Sequence, residues 1–237
     1  MMHNLKFLAA AAALVFACGC ASERSGQFVP KVVFTFDDGV AEHYDTVAPI
    51  LEKYGFRGTF NVIVDSVDRK KGTVTWAQLR DLDRRGHAIE NHTLTHPNLA
   101  KMAETNNLAG VEREVTLSRD IIASNVGRAP TFVCYPFGAW NAATECAVRD
   151  SWQKPMCPCR RNFGEGYAPG DVTRYIEECI EKKQGIIDLM CHGVSANGGG
   201  WKPFATPEIF ESYVKEVKEL ADRKLVKVVL YRDCEIY

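Results

Sequence analysis

The 237-residue sequence has no surplus of either charge: 29 Lys and Arg stand against 30 Asp and Glu, a net charge of −1. Without a basic surplus nothing favours nucleic acid, and without an acidic one nothing favours a cationic ligand, which leaves a neutral partner as the natural one. Internal repeats and low-complexity tracts are missing after the first twenty residues. With 46% apolar and 25% charged residues, the composition excludes a disordered chain, a collagen-like array and a multi-span membrane protein. The length fits one large domain, and no second domain is visible.

The one conspicuous apolar stretch lies at the N-terminus. Lys6 precedes Phe7-Leu8, a run of alanines and Leu14-Val15-Phe16-Ala17, short for crossing a bilayer and typical of a secretory leader. Cys18 and Cys20 each follow small residues, in Val15-Phe16-Ala17-Cys18 and Ala17-Cys18-Gly19-Cys20, and either resembles a bacterial lipidation site. The reading is a lipoprotein-type signal peptide over 1–20, a polar tether over 21–30 and a folded domain over 31–237. It places the protein outside the cytoplasm, facing the periplasm or the cell surface on an N-terminal lipid anchor; ordinary cleavage near Ala21 is the alternative. Seven cysteines remain, Cys134, Cys146, Cys157, Cys159, Cys179, Cys191 and Cys234. An odd number cannot pair completely, and most sit in apolar runs where cysteine acts as a small buried hydrophobe. Cys157-Pro158-Cys159 fits the spacing of structural zinc sites poorly.

Beyond the tether, apolar runs alternate with amphipathic stretches. Strands are predicted at Val32–Phe36, Gly58–Val64, Ala88–Glu90, Thr131–Tyr135, Pro155–Cys159, Ile186–Cys191 and Val226–Tyr231, all short and mostly rich in apolar residues, as buried parallel strands are. Thr75-Trp76-Ala77-Gln78 reads as a capping box opening a helix that runs to Arg85 and stops at Gly86. Asn141 and Asp171 are candidate caps of two more helices. Thr206-Pro207 starts a last helix whose apolar face is Ile209, Phe210, Tyr213, Val214, Val217, Leu220 and Ala221. Strand and helix in alternation over this length predict an α/β fold, a distorted (β/α) barrel with about seven strands.

The ends of the strands carry the chemistry. Val32–Phe36 runs into Asp37-Asp38-Gly39, Ala88–Glu90 into Asn91-His92-Thr93-Leu94-Thr95-His96-Pro97, and Ile186–Cys191 into His192-Gly193. In a parallel barrel these ends gather at one mouth. Two adjacent carboxylates repel unless a cation holds one of them, while Asp-Gly alone is also a common turn. His92 and His96 are spaced to grip one ion, with Pro97 favouring a loop or brief turn over a long helix. With a carboxylate they make an Asp-His-His set suited to zinc and tolerable for cobalt, nickel or iron. His192 suits a general acid, although a strand-end histidine is also an ordinary structural residue. Trp201, after Gly198-Gly199-Gly200, offers an aromatic face for a sugar ring.

Thr35-Phe36-Asp37-Asp38-Gly39, His92-Thr93-Leu94-Thr95-His96 and Leu189-Met190-Cys191-His192 resemble, in order, motifs one, two and five of the polysaccharide deacetylase family, carbohydrate esterase family 4 or the NodB homology domain. The resemblance spans about Val29 to Tyr237. It implies a distorted barrel and metal-dependent hydrolysis of acetyl groups on sugars, with Asp37 as base, Asp38, His92 and His96 as metal ligands and His192 as general acid. Tyr135-Pro136-Phe137-Gly138 resembles motif three, which makes the Phe137 N–H the oxyanion donor and places Tyr135 and Pro136 at the substrate. The arginine that family members often carry just upstream, where it orients the base, is Cys134 here; Arg160 and Arg161 are candidate substitutes. Motif four, an acid with a tryptophan, has Asp171, Asp188, Trp152 and Trp201 as candidates. The expected substrate is an N-acetylated glycan such as peptidoglycan, a chitin-like polymer or poly-N-acetylglucosamine. Alternatives are an O-acetyl esterase of xylan or another plant glycan, and a lipid-anchored glycan-binding protein without turnover.

Overall fold

A computed structural model describes residues 28–156, 161–162, 168, 170–194 and 206–234. Cys18, Cys20, Cys157, Cys159, Arg160, Gly198-Gly199-Gly200 and Trp201 lie outside the described residues. Eight short strands form one parallel sheet: β1 (Lys31–Phe36), β2 (Thr59–Val62), β3 (Ala88–Asn91), β4 (Phe132–Val133), β5 (Lys154–Pro155), β6 (Arg161–Asn162), β7 (Ile186–Cys191) and β8 (Lys227–Val228). Their order is β5-β4-β3-β2-β1-β7-β6, with β8 also on β1. β7 pairs with β1 along its whole length, from Lys31↔Ile186 to Phe36↔Cys191. The other edge of β1 is therefore shared, by β8 at Lys31 and Val32 and by β2 at Thr35 and Phe36. The sheet curls about β1 into the expected distorted barrel.

Strand alternation then decides what points where. Phe34 and Phe36 face the helices, where Phe36 stacks on Phe60 at 5.3 Å and meets Phe210 edge-on at 5.8 Å. Val33 faces the concave side and packs with Phe132, Cys134, Met156 and Tyr231. Thr35 and Asp37 share that side, Thr35 donating its hydroxyl to Asp188 at 2.7 Å.

Among the described residues seven α-helices cover the sheet: α1 (Ala48–Lys53), α2 (Trp76–Arg84), α3 (Leu99–Glu104), α4 (Leu108–Val126), α5 (Ala142–Asp150), α6 (Asp171–Glu181) and α7 (Pro207–Asp222). Thr75 forms the expected capping box with Gln78, Asn141 caps α5, and Thr206 caps α7. Asp171 is not a cap: Gly170 holds that position at φ +92°, and the Asp171 carboxylate accepts from the Ala168 N–H at 2.7 Å. On α7, Phe210, Tyr213, Val214, Val217 and Leu220 are buried as predicted, but Ile209, in the first turn, is exposed.

Several predicted strands shorten for visible reasons. β2 stops at Val62 because the chain turns, and the Val64 and Asp65 N–H groups bond to the Thr93 and Leu94 carbonyls. The last strand stops at Val228, and Tyr231 donates its N–H to the Thr59 hydroxyl instead of a ladder. Cys134, Cys179, Cys191 and Cys234 are buried and in no disulfide, while Cys146 is exposed on α5.

Candidate active site

The side chains singled out at the strand ends converge on one mouth. A cleft of about 260 Å³ is lined by Asp37, His92, Cys134, Tyr135, Phe137, Gly138, Trp140, Met156, Met190 and His192. Asp37, Asp38 and His92 are almost fully buried, so the charges face a low-dielectric interior on one side and the cleft on the other.

Asp38 sits beside the two histidines of the β3 loop. Its Oδ1 lies 3.4 Å from His92 Nε2 and 3.6 Å from His96 Nε2. That oxygen is buried and has no hydrogen-bond partner among the described residues. The His92 ring is oriented from behind, its Nδ1 at 2.8 Å from the Cys134 carbonyl, which leaves Nε2 as the inward atom. One carboxylate oxygen lacking a donor and two imidazole nitrogens aimed at it suit a divalent cation, and these three side chains form a group able to hold one. Burial pushes the Asp38 carboxyl up, but the adjacent His92 imidazole outweighs it and holds it below the ordinary value. Burial disfavours a proton on His92, yet its neighbours Cys134, Asp37 and Asp38 draw its pKa well above the imidazole value. A cation there would compete with that proton.

The backbone is forced into place. Asp38, Thr93, His96 and Phe137 all adopt left-handed φ values, between 61° and 77°. Such conformations cost of order 1–3 kcal/mol each and persist only where surroundings impose them. Gly39, at φ +69°, continues the turn, and a Cβ there would stand 3.3 Å from Val62. The β3 loop is held by its own polar groups: Asn91 accepts from the Thr93 N–H at 2.8 Å, and the Thr93 hydroxyl accepts from the His96 N–H at 3.0 Å. The predicted loop, rather than a helix, thus carries both histidines.

Asp37 receives the Asn61 amide on Oδ1 at 2.7 Å and the Cys134 thiol on Oδ2 at 3.5 Å. His192 follows β7, and its carbonyl accepts from His43 Nε2 at 2.5 Å. Phe137 is exposed, with its ring edge-on to His96 at 4.8 Å. Tyr135 lines the cleft, and Pro136 is buried at the start of the turn that presents Phe137. Among the motif-four candidates, Trp152 is 89% exposed and precedes β5, at the opposite end of the sheet from the mouth. Asp171 pairs with Arg174 at the start of α6, and Asp188 lies within β7 beside Thr35. Arg161 is exposed, its guanidinium over the Tyr175 ring.

Sequence reasoning missed Asn61, His43, Glu114 and Trp140. Asn61 had a signal, a lone amide inside the apolar run Gly58–Val64. His43 and Glu114 had none, since each acts on a partner distant in sequence.

A protein-family model described as polysaccharide deacetylase matches residues 27–151, just over half the chain. A peptidoglycan-N-acetylglucosamine deacetylase of Bacillus cereus is 28% identical over 109 residues, 46% of this chain and 36% of its own. A chitooligosaccharide deacetylase of Sinorhizobium fredii is 31% identical over 121 residues, 50% of this chain and 52% of its own. The matched stretch thus spans about half or less of these curated relatives. Among solved structures, a family 4 acetyl xylan esterase from Clostridium thermocellum in complex with a cobalt ion aligns over 86% of this chain and 89% of that one, with a TM-score of 0.62 at 18% identity. At 86% of the chain, that likeness extends the shared fold past residue 151. The chain belongs to the polysaccharide deacetylase family.

Proposed function

We propose that this protein is a metal-dependent hydrolase that removes acetyl groups from N-acetylated glycans, peptidoglycan, chitin-like or poly-N-acetylglucosamine. One observation carries the reading: the buried Asp38 oxygen without a donor, faced by His92 and His96, belongs to the residue next to a second carboxylate, Asp37, which lines the cleft with His92. The names of the Bacillus cereus and Sinorhizobium fredii relatives favour an N-acetyl substrate.

Asp38, His92 and His96 would hold the ion, which we take to be zinc, with cobalt, nickel or iron as substitutes in the same donor set. When bound, the ion supplies Lewis acidity toward the acetyl carbonyl and the attacking water. Asp37 takes a proton from that water as its oxygen bonds to the carbonyl carbon. The Phe137 N–H donates to the carbonyl oxygen as negative charge gathers there. His192 gives a proton to the sugar nitrogen as the carbon–nitrogen bond breaks, leaving acetate and a free amine. Trp140, 46% exposed on the cleft wall, and Phe137 present aromatic faces to the sugar.

Acetate release from N-acetyl-chitooligosaccharide and from acetylated xylan, with chelation and zinc add-back, tests the reaction. Release from the first alone is expected, with Asp37→Asn inactive but metal-loaded and His92→Ala deficient in both. Release from xylan alone would give the O-acetyl reading, and metal-loaded protein silent on both a glycan-binding role. From the leader-like sequence we further infer a membrane anchor through lipidated Cys18 or Cys20. Radiolabelled palmitate should enter the protein and be lost on Cys18→Ser or Cys20→Ser; labelling of neither would remove the anchor.

A further inference from the structure

We propose that Asn61 is the positioning residue of the catalytic base, and that with Cys134 it clamps the Asp37 carboxylate from both sides in place of a guanidinium. The proposal rests on Asp37 acting as the base. Asn61 is fully buried, on the concave side of β2. Its Nδ2 lies 2.7 Å from Asp37 Oδ1, and since an ionised carboxylate only accepts, the amide must donate. From the end of β4, the Cys134 thiol donates to the other oxygen, Oδ2, at 3.5 Å. Each oxygen is thus met from a different strand, and turning the carboxylate about its last bond breaks both contacts.

The rest of the Asn61 side chain argues that this contact is why it is there. Its Oδ1 is buried and has no hydrogen-bond partner among the described residues. A buried amide with one end unsatisfied is a poor choice for stability. Asn61 therefore serves Asp37 at the expense of the sheet. A structural residue would show the reverse, with stability falling when it is replaced.

The test uses the zinc-loaded enzyme on N-acetyl-chitooligosaccharide. Asn61→Leu keeps the branching at Cγ, with somewhat larger ends, and removes the donor. The expected result is a kcat lowered about tenfold or more, with KM within about twofold. Its melting temperature should be equal or higher, and its zinc affinity by dye competition unchanged. Asn61→Ser, small enough to fit without strain, returns a hydroxyl donor and should recover part of kcat. Cys134→Ala should cost only a few-fold, since a thiol donates weakly. In an Asp37→Asn background, Asn61→Leu should lower the residual rate no further, because the two act as one unit.

Full kcat in a folded Asn61→Leu enzyme, with Asp37→Asn inactive, would overturn the clamp and leave the base in place. An equal loss with and without the Asp37 carboxylate, or loss of zinc, would also overturn it. Full turnover in Asp37→Asn would instead remove the base assignment on which the clamp depends.

Discussion

His43 sits behind the mouth with only 1% of its surface exposed, between Phe36 and Phe60, and burial pushes its pKa down to about 4. Its neutral ring donates to the His192 carbonyl and so fixes the backbone of the group assigned as general acid. In the unfolded chain the same imidazole titrates near 6.5. Between the two values the unfolded state binds more protons, so stability is lost as pH falls from about 6.5 through 4, by up to about 3 kcal/mol. His43→Phe keeps the ring and removes the titration. The fall in unfolding free energy between pH 7 and pH 4, by urea titration, should shrink in the variant by about 2–3 kcal/mol. An unchanged slope would mean that His43 is not buried neutral. Asp37, Asp38, His92 and His192 were legible in sequence because each lies just past a strand-like run, and His96 because it stands four residues after His92. His43 was not, because its role exists only once His192, distant in sequence, folds against it.

At the scale of elements, α4 does more than cover the sheet. Its Glu114, buried, accepts the Leu94 and Thr95 N–H groups on Oε2 at 3.0 and 2.8 Å and the Thr95 hydroxyl on Oε1 at 2.8 Å. One carboxylate thus braces the loop, strained at Thr93 and His96, that carries His92 and His96, the proposed metal ligands. Glu114→Gln keeps the shape and gives up one acceptor. Zinc affinity is expected to fall about tenfold, the low end for partners outside the ligand set, while melting of the metal-free protein changes little. A fall in melting without a change in affinity would make Glu114 a packing residue only. The capped helices α2, α5 and α7 were readable because caps are local. The ends of β2 and β8 were not, since a bond to Thr93 or to the Thr59 hydroxyl, rather than any turn signal, stops them.

For the whole molecule, the order of the strands made the site readable before its details were. Parallel strands share a mouth, so three motifs far apart in sequence were bound to meet once the alternating pattern was recognised. What the pattern did not contain was the division of one edge of β1 between β2 and β8. A chain ending at Leu225 would lose β8 and also Tyr231, fully buried against Phe132 at 4.9 Å. It should give no cooperative unfolding transition and should bind hydrophobic dye; a sharp transition would show that β8 is dispensable. The same arrangement constrains the order of events as the chain is made. Val32 pairs with Ile187 and Val228, so the first strand synthesised waits for the last. At roughly 5–20 residues per second, that wait lasts about 10–40 s. Throughout it Lys-Val-Val-Phe-Thr-Phe at 31–36 is an apolar edge with its N-terminal half unpaired, which makes it the segment a chaperone must shelter and the one through which nascent chains would aggregate.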